Sequence, residues 1–311
     1  MVGWKLADMP SLDGRIAVVT GANSGLGLVT ARHLASAGAH VVMACRNAER
    51  AEAALQKVRT LEPSASVEVR SLDLGDLASV QRFADEWSGP LHLLVNNAGL
   101  MAIPYQQTVD GFEMQFGTNH LGHFALTGRL LPALLDAPKP RVVTVSSEAH
   151  RIGHIRFDDL QSERRYQKWR AYGQSKLANL LFARELSRRA SLAGQDLLSV
   201  AVHPGYASTN LQAAGPKMAG SKIGAFGMKV GNALFGQSDE NGAVPTLFGA
   251  TGPGLRGAEY LGPDGLFAAR GSGAKRMTPA KSALDDDVAR RLWDVSQELT
   301  GVSFDVLRPV A

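Results

Sequence analysis

The sequence contains one cysteine, Cys45, and no long apolar run. A single cysteine excludes a disulfide within the chain and suits a reducing compartment. No apolar stretch approaches the roughly 18 residues of a membrane span. The opening stretch MVGWKLADMPSLDGR is too charged for a secretory signal. We therefore expect a cytoplasmic protein without a transmembrane segment, and we leave open a peripheral contact with a membrane surface.

Blocks of like charge are also missing from the sequence. The 33 Lys and Arg residues against 29 Asp and Glu residues give a formal net charge of +4. This mild balance indicates no nucleic-acid partner. The 311 residues carry no internal repeat, and their hydrophobic fraction of 45% fits an ordinary globular core.

Short, β-branched apolar segments alternate with helical patterns over the first 205 residues. Nearly continuous apolar segments are typical of parallel strands that are buried on both faces. Strands are predicted to begin at Arg15, His40, Val67, Leu91, Arg141 and Leu197, and helices to span 25–37, 48–62, 76–87, 111–135 and 167–190. This alternation predicts an α/β protein with a Rossmann-type, doubly wound parallel sheet in a three-layer α/β/α arrangement.

The pattern changes after Pro204. Residues 211–238 carry six glycines, three lysines and no acidic residue. We expect either a flap that closes over a lipophilic substrate or a disordered loop, and its lysines could also touch an anionic membrane. Beyond it we expect a helix near 240–250, a short strand near 258–261, a basic Gly-rich loop and a last helix from Asp285. Residues 1–311 are read as one domain with a flap insertion.

A glycine-rich turn follows the first predicted strand. The stretch TGANSGLG places Gly21, Gly25 and Gly27 between a strand and an amphipathic helix. Such a turn lets backbone N–H groups and a helix N-terminus approach a pyrophosphate. The predicted dinucleotide contacts in this turn are Gly21, Asn23, Ser24, Gly25, Leu26 and Gly27.

The end of the second predicted strand bears on which dinucleotide binds. Arg46 lies 19 residues after Gly27 and is followed by Asn47, and no acidic residue precedes Glu49. An acidic residue at this place accepts from the ribose of NAD, whereas arginine accommodates the 2′-phosphate of NADP. We therefore favour NADP over NAD; the alternative is an exposed arginine that heads a helix. After the third strand, Asp73 and Leu74 are expected at the adenine, although Asp73 alternatively caps the next helix.

Four ordered motifs resemble those of the short-chain dehydrogenase/reductase family. They are TGANSGLG at 20–27, NNAG at 96–99, YGQSK at 172–176 and PGYAST at 204–209. The resemblance covers about residues 14–210. The stretches ACRN, FDDL and AYGQSKLANLLFARELSRR look like the retinol-dehydrogenase-like branch, which includes NADP-dependent retinal reductases and WW-domain oxidoreductases.

The resemblance implies a role for each matching residue. Tyr172 would be the acid/base, and Lys176 would hold the nicotinamide ribose and acidify Tyr172. Ser147 would hydrogen-bond the substrate carbonyl, with Ser146 as the alternative serine, and Asn119 would order a water that links Lys176 to solvent. The implied cofactor neighbours are Asn97, Ala98 and Gly99 at the adenine ribose, and Pro204, Gly205 and Thr209 at the nicotinamide end.

The spacing of Tyr172 and Lys176 has a physical reason. A phenol has a pKa of about 10, and an ammonium group one helical turn away favours its ionised form. Gly173 and Ser175 are expected to leave room for cofactor and substrate. A metal site is not expected, because His150 and His154 lie in a loop and the histidines at 120 and 123 lack companion ligands at metal spacing.

These features predict an NADP-dependent oxidoreductase that acts on a hydrophobic aldehyde, ketone or alcohol. One alternative is a non-catalytic NADP-binding sensor or scaffold on the same fold. Another is a double-bond reductase like the protochlorophyllide reductases, which place a cysteine where this chain has Ala178. The resemblance also implies a homo-oligomer, with helices 111–135 and 167–190 forming a four-helix seam.

Overall fold

The computed structural model describes residues 3–205, 238–265 and 271–307. The described chain forms one nine-stranded sheet in the order β1-β9-β8-β7-β6-β5-β2-β3-β4. The strands are β1 Trp4–Lys5, β2 Ile16–Thr20, β3 His40–Cys45, β4 Val67–Ser71, β5 Leu93–Asn96, β6 Arg141–Val145, β7 Leu198–Val202, β8 Tyr260–Pro263 and β9 Gly273–Met277. Thr209 and residues 211–237 of the predicted flap lie outside the described residues.

The predicted Rossmann-type sheet is confirmed over its seven parallel strands. The chain order reverses between β2 and β5, and a doubly wound sheet binds ligands outside the carboxyl ends of its strands at such a point. The antiparallel pairs of β9 with β8 and with β1 were not predicted. Strand β9 falls in the segment read as a basic Gly-rich loop, because Lys275 and Arg276 hide its short apolar pattern.

Seven α-helices of four residues or more pack on the sheet in the described part of the chain. They are α1 Gly25–Ser36, α2 Ala48–Leu61, α3 Leu77–Asp85, α4 Gly122–Leu135, α5 Lys168–Leu192, α6 Asp239–Thr251 and α7 Asp286–Thr300. Helix α5 is buried along most of its length, so the side chains that it aims at the sheet edge are shielded from water. Among the described helices, none combines the length and apolar character needed to cross a membrane.

The predicted continuous helix 111–135 is wrong at its N-terminal end. The structure has one helical turn at Met114–Phe116, a π-helical turn at Gly117–Leu121 and then α4. The Glu113 carboxylate accepts from two backbone N–H groups of the first turn, which starts the helix three residues later than predicted. Gly122 packs directly on the chain after β4, where a Cβ would lie 2.3 Å from the Leu74 carbonyl oxygen.

Helix α7 lies against the two helices that the resemblance implies for an oligomer seam. Trp293 of α7 stacks on Phe182 of α5 at a centroid distance of 5.8 Å and meets Phe124 of α4 edge-on. Arg184 of α5 pairs with Asp286 of α7 at 2.9 Å. Side chains of the same chain therefore fill much of that surface, and the homo-oligomer remains a prediction.

Candidate active site

The glycine-rich turn joins β2 to α1 at the carboxyl edge of the sheet. Gly21 and Gly25 have φ values of 66° and 53°, in the left-handed region that glycine tolerates. A Cβ at Gly27 would lie 2.4 Å from the Gly21 carbonyl oxygen, so this turn closes only with glycine. The Ser24 side chain makes no capping hydrogen bond, which leaves the first N–H groups of α1 free for an anion.

The NNAG turn is fastened to the end of β2 by Thr20. The Thr20 hydroxyl accepts from the backbone N–H groups of Asn97 and Ala98, both at 2.9 Å, and the Asn97 amide donates to the Thr20 carbonyl at 2.8 Å. Gly99 lies next to Lys176, because a Cβ at Gly99 would be 3.5 Å from the lysine Nζ. Gly99 therefore borders the lysine side of the site.

Arg46 directly follows β3, with its side chain 68% exposed and its Nε 3.9 Å from an Asp73 oxygen. Asn47 accepts from the Arg50 N–H group and caps α2. Asp73 accepts from the Gly75 N–H group, while Asp76 caps α3. The alternative that Asp73 caps this helix is therefore wrong, and Leu74 is buried beside it.

Tyr172, Ser147 and Lys176 come together where β6 meets α5. Lys176 is 2% exposed, and its Nζ lies 5.8 Å from the centre of the Tyr172 ring. The Ser147 side chain lies close enough to the Tyr172 hydroxyl to act on its pKa. One N–H group of Lys176 donates to the Val145 carbonyl at 3.1 Å. The ammonium group can therefore donate to a ligand as well, since it carries three donors.

Burial dominates the protonation of both groups. It raises the pKa of Tyr172 to about 12, against the opposing effect of the Ser147 hydrogen bond. It lowers the pKa of Lys176 to about 8. In the protein alone, desolvation of the phenolate is the larger effect on the pKa of Tyr172. The expected lowering joins the charge of Lys176 to that of an oxidised nicotinamide, and it stays a prediction. Tyr172 is held as a protonated phenol, which is a proton donor.

The two neighbouring serines have different surroundings. The Ser146 hydroxyl is buried and donates to the Lys176 carbonyl at 2.7 Å. Ser147 caps the short helical turn Glu148–Ile152 and faces Tyr172. This geometry favours Ser147 over Ser146 as the serine at the reacting group.

Asn119 lies in the π-helical turn, and both its side-chain amide oxygen and its amide nitrogen make hydrogen bonds within the protein. Its oxygen accepts from the Leu100 N–H group at 2.7 Å, and its nitrogen donates to the Leu100 carbonyl and to Ser175, both at 2.9 Å. Its backbone carbonyl accepts from His123 at 3.0 Å. Both amide hydrogens of Asn119 are therefore used within the protein, and the water that the resemblance implies would have to donate to one of its oxygens.

The expected reason for the small residues between Tyr172 and Lys176 is wrong. A Cβ at Gly173 would lie 2.9 Å from the Ala149 carbonyl oxygen, so Gly173 lets α5 pack on the segment after Ser147. The Ser175 hydroxyl donates to the Tyr172 carbonyl at 2.8 Å and accepts from Asn119. Both residues pack within the protein.

Sequence reasoning missed two histidines that hold the site together. His150 donates to the Ser147 carbonyl at 2.7 Å and accepts from the Ala280 N–H group at 3.1 Å. His203 directly precedes Pro204 and Gly205, which are both half-buried, and it accepts from the Gly205 N–H group at 3.2 Å. The sequence signal that could have found them is that they lie within the stretches VSSEAH and HPG. The part of the chain that the structure describes has no group of three metal-ligating side chains.

Apolar side chains are exposed next to Tyr172. Trp169, one turn earlier on α5, is 39% exposed and meets the Tyr172 ring edge-on at 6.3 Å. Ile152 is exposed on the segment after Ser147. This part of the site presents an apolar surface to a ligand.

Comparison with known proteins agrees with this geometry. The family model described as short chain dehydrogenase matches residues 15–219. Retinol dehydrogenase 12 from Mus musculus is 42% identical over 297 residues, which cover 94% of this chain and 89% of that enzyme. An uncharacterised protein from Mycobacterium paratuberculosis has a crystal structure that is 47% identical, with a TM-score of 0.81 over 97% of this chain and 99% of that one.

A fourth similarity concerns a structure with bound nucleotide. The RhlG/NADP active-site complex from Pseudomonas aeruginosa is 26% identical, with a TM-score of 0.60 over 80% of this chain and 94% of that one. The TGANSGLG turn after β2 and the NNAG turn after β5 lie at the same edge of the sheet as the buried tyrosine and lysine described above. This chain therefore belongs to the short-chain dehydrogenase family, in its retinol-dehydrogenase-like branch, and is an NAD(P)-dependent oxidoreductase.

Proposed function

We propose that this oxidoreductase uses NADP to transfer a hydride to or from the carbonyl or alcohol carbon of a hydrophobic aldehyde, ketone or alcohol. The observation that carries the proposal is the buried set of Tyr172, Ser147 and Lys176 beside the glycine-rich turn. A protonated phenol, a second hydroxyl and an ammonium group in one dry site suit carbonyl reduction.

The described residues fit a nicotinamide dinucleotide. The turn at Gly21–Gly27 offers free helix N–H groups to the pyrophosphate, and Lys176 retains N–H groups for the ribose hydroxyls. Asn23 and Leu26 belong to the same turn, Ala98 packs against Gly21, and Gly99 borders Lys176. Gly205 follows β7 and is kept as a predicted contact of the nicotinamide end. When bound, NADPH supplies the hydride. The predicted contact at Thr209 lies outside the described residues.

The side chains divide the remaining work. Ser147 and Tyr172 hydrogen-bond the substrate oxygen and hold its carbon toward the nicotinamide side of the site. Tyr172 then gives its proton to that oxygen, which its raised pKa permits at neutral pH. Lys176 stabilises the phenolate that remains, because the positive charge is buried one helical turn away. Asn119 holds the π-helical turn in place beside Ser175.

The preference for NADP rests on Arg46. Its guanidinium is exposed, is joined to Asp73 only loosely at 3.9 Å and is free to turn toward a phosphate. Asn47 is engaged as the cap of α2, so the end of β3 presents a cation where NAD enzymes present an acid. The NADP bound in the RhlG complex supports the same choice.

Replacing Arg46 by Ala should weaken NADPH binding about 10-fold to 100-fold, because a charge-assisted contact with phosphate is lost. NADH binding should change less than about twofold. Arg82→Ala is the matched control, since Arg82 of α3 has a similarly exposed side chain and its guanidinium lies 3.6 Å from the Asp76 carboxylate. Fluorescence titration with both nucleotides measures the effect. Equal losses for NADPH and NADH would exclude a phosphate contact.

The two serines give a second test in the same site. Ser147→Ala should lower kcat/KM about 100-fold, because one donor to the developing oxyanion is removed. Ser146→Ala should leave kcat/KM within about threefold and lower the free energy of unfolding by about 1 kcal/mol, the value of its buried hydrogen bond. Steady-state rates and urea unfolding of both variants measure these effects, and the reverse order would assign the role to Ser146.

A hydrophobic substrate is supported by the exposed Trp169 and Ile152 beside Tyr172. The names of the retinol dehydrogenases that this chain resembles point to the same chemistry. A double-bond reductase is less well supported, because the position of the cysteine in the protochlorophyllide reductases is occupied by Ala178, which is buried in α5.

A non-catalytic NADP-binding sensor would not need the buried set of Tyr172, Ser147 and Lys176. A cytoplasmic location with peripheral membrane contact and a homo-oligomer remain proposals.

The test is turnover of a graded panel of aliphatic, aromatic and polyene aldehydes and ketones, with NADPH and NADH in parallel. The proposal expects NADPH consumption that increases with the apolar length of the substrate and exceeds the rate with NADH. Tight NADPH binding without turnover of any member would favour the sensor.

A further inference from the structure

We propose that His123 is a positioning residue that joins the NNAG turn to the π-helical turn that carries Asn119. The inference rests on the proposed function, because it assigns a task within the same site. His123 is 1% exposed and lies on the first turn of α4, between the nucleotide side and the Tyr172 side of the site.

Both ring nitrogens of His123 have a partner on a different element. Its Nδ1 lies 3.0 Å from the Asn119 carbonyl oxygen. Its Nε2 lies 2.9 Å from the Thr20 hydroxyl at the end of β2. Thr20 in turn accepts from the N–H groups of Asn97 and Ala98. One imidazole therefore connects the end of β2, on the nucleotide side of the site, with the π-helical turn that carries Asn119.

Counting donors and acceptors fixes the form of this histidine. A carbonyl oxygen only accepts, so Nδ1 carries the proton that is donated to Asn119. Thr20 uses both hydroxyl lone pairs for the two N–H groups of the NNAG turn. Its single proton therefore faces two acceptors, Nε2 of His123 at 2.9 Å and the Val95 carbonyl oxygen at 3.3 Å, and the shorter contact is the one with Nε2. His123 is then neutral with one nitrogen as donor and the other as acceptor. A protonated ring would bring a donor against the Thr20 hydroxyl, whose lone pairs are already used.

The connection continues from Asn119 to the catalytic tyrosine. The Asn119 amide donates to the Ser175 hydroxyl, and that hydroxyl donates to the backbone carbonyl of Tyr172. Every step is shorter than 3.1 Å and is buried. His123 thus lies midway along a chain of hydrogen bonds from Ala98 to Tyr172, and a shift at either end is opposed by it.

His120 provides a matched control three residues earlier. It is equally buried, but its Nε2 contacts Ser296 of α7 at 2.9 Å and its ring packs among Phe116, Phe124 and Phe182. It therefore faces away from the nucleotide side. Loss of His120 should weaken packing without moving the site.

The test uses three substitutions of His123 that separate its two hydrogen bonds. Asn retains a donor at the position of Nδ1 and loses the reach to Thr20. Gln retains an acceptor for the Thr20 hydroxyl and loses the donor to Asn119. Leu loses both. His120→Leu is made in parallel, and NADPH affinity, kcat and thermal unfolding are measured for each protein.

We expect His123→Leu to lower kcat about 10-fold to 100-fold, because small displacements of catalytic groups have effects of that size. His123→Asn should keep kcat within about threefold and weaken NADPH binding about fivefold. His123→Gln should keep NADPH binding within about threefold and lower kcat about fivefold. His120→Leu should lower the unfolding temperature with both kinetic values within about twofold. Equal kinetic losses in the Asn and Gln variants, or in His120→Leu, would contradict the bridging role.

The two proposals fail in different ways. If the wild-type protein turns over no carbonyl substrate, the proposed reductase fails, while NADPH affinity still tests the Thr20 side of the bridge. If the wild-type protein turns over substrate and His123→Leu retains full kcat and NADPH affinity, the bridge fails and the reductase stands.

Discussion

Tyr172→Phe should lower kcat by about 10²-fold to 10⁴-fold, the usual contribution of a positioned proton donor. The phenylalanine ring keeps the edge-on contact with Trp169, so the α5 helix and the apolar surface stay in place. The hydroxyl that is removed faces Ser147 on the reacting side of the site. NADPH binding should therefore change less than about threefold.

Single-turnover rates with the best substrate of the panel measure this effect. Tyr105→Phe is the control, because Tyr105 is 41% exposed and its hydroxyl contacts only the Gln107 side chain. A Tyr172→Phe protein that keeps more than about a tenth of the wild-type kcat would exclude Tyr172 as the proton donor.

Lys176→Met should abolish most activity and yet leave the protein at least as stable. Activity should fall about 100-fold or more, because the buried positive charge beside the Tyr172 phenol and the donors to the ribose are lost. Burial lowers the pKa of Lys176 from 10.5 to about 8. At about 1.4 kcal/mol per pH unit, this shift corresponds to about 3 kcal/mol that the charged lysine costs the folded state. Methionine avoids that cost with a similar volume.

The pH dependence of the stability gain follows from the same shift. Between pH values of about 8 and 10.5 the unfolded chain binds the Lys176 proton more than the folded chain does, so wild-type stability rises with pH there. The variant lacks this rise. Its advantage should be largest below about pH 8 and should vanish by about pH 10.5.

Urea unfolding of wild type and Lys176→Met at pH 7 and pH 10 measures the difference. The Val145 carbonyl stays satisfied in the variant, because Asn179 also donates to it at 3.0 Å. Lys168→Met at the exposed start of α5 is the control and should change neither property. A Lys176→Met protein that unfolds more readily than wild type at pH 7 would show that the lysine stabilises the fold.

Much of the fold was predictable because its signals are local. The strands from Ile16, His40 and Arg141 have continuous apolar sequences, and the helices predicted at 25–37 and 48–62 are observed at Gly25–Ser36 and Ala48–Leu61. The π-helical turn before α4 was not predictable, since the helical pattern runs through it without a break. The close packing of Gly122, at its end, on the Leu74 carbonyl also depends on a residue far away in sequence. The same is true of β9, which becomes a strand only because β8 and β1 pair with it.

The site divides in a similar way. Tyr172, Lys176 and Ser147 stand in recognisable motifs, and the structure brings them together. His123 has no such signal, because its importance depends on two partners that lie 103 and 4 residues away. The protonation of Tyr172 in the protein alone is not readable from the sequence, for a physical reason. Proximity of Lys176 is visible in the sequence, but the burial that raises the tyrosine pKa is not.

The most direct measurement of the central claim follows the hydride itself. NADPH deuterated at the transferable position of the nicotinamide is incubated with the protein and a hydrophobic aldehyde, and the alcohol is analysed by mass spectrometry and NMR. The account predicts one deuterium on the carbinol carbon, formed at a rate that Tyr172→Phe reduces at least 100-fold. Alcohol without deuterium at that carbon, or label transfer that is unaffected by Tyr172→Phe, would contradict it.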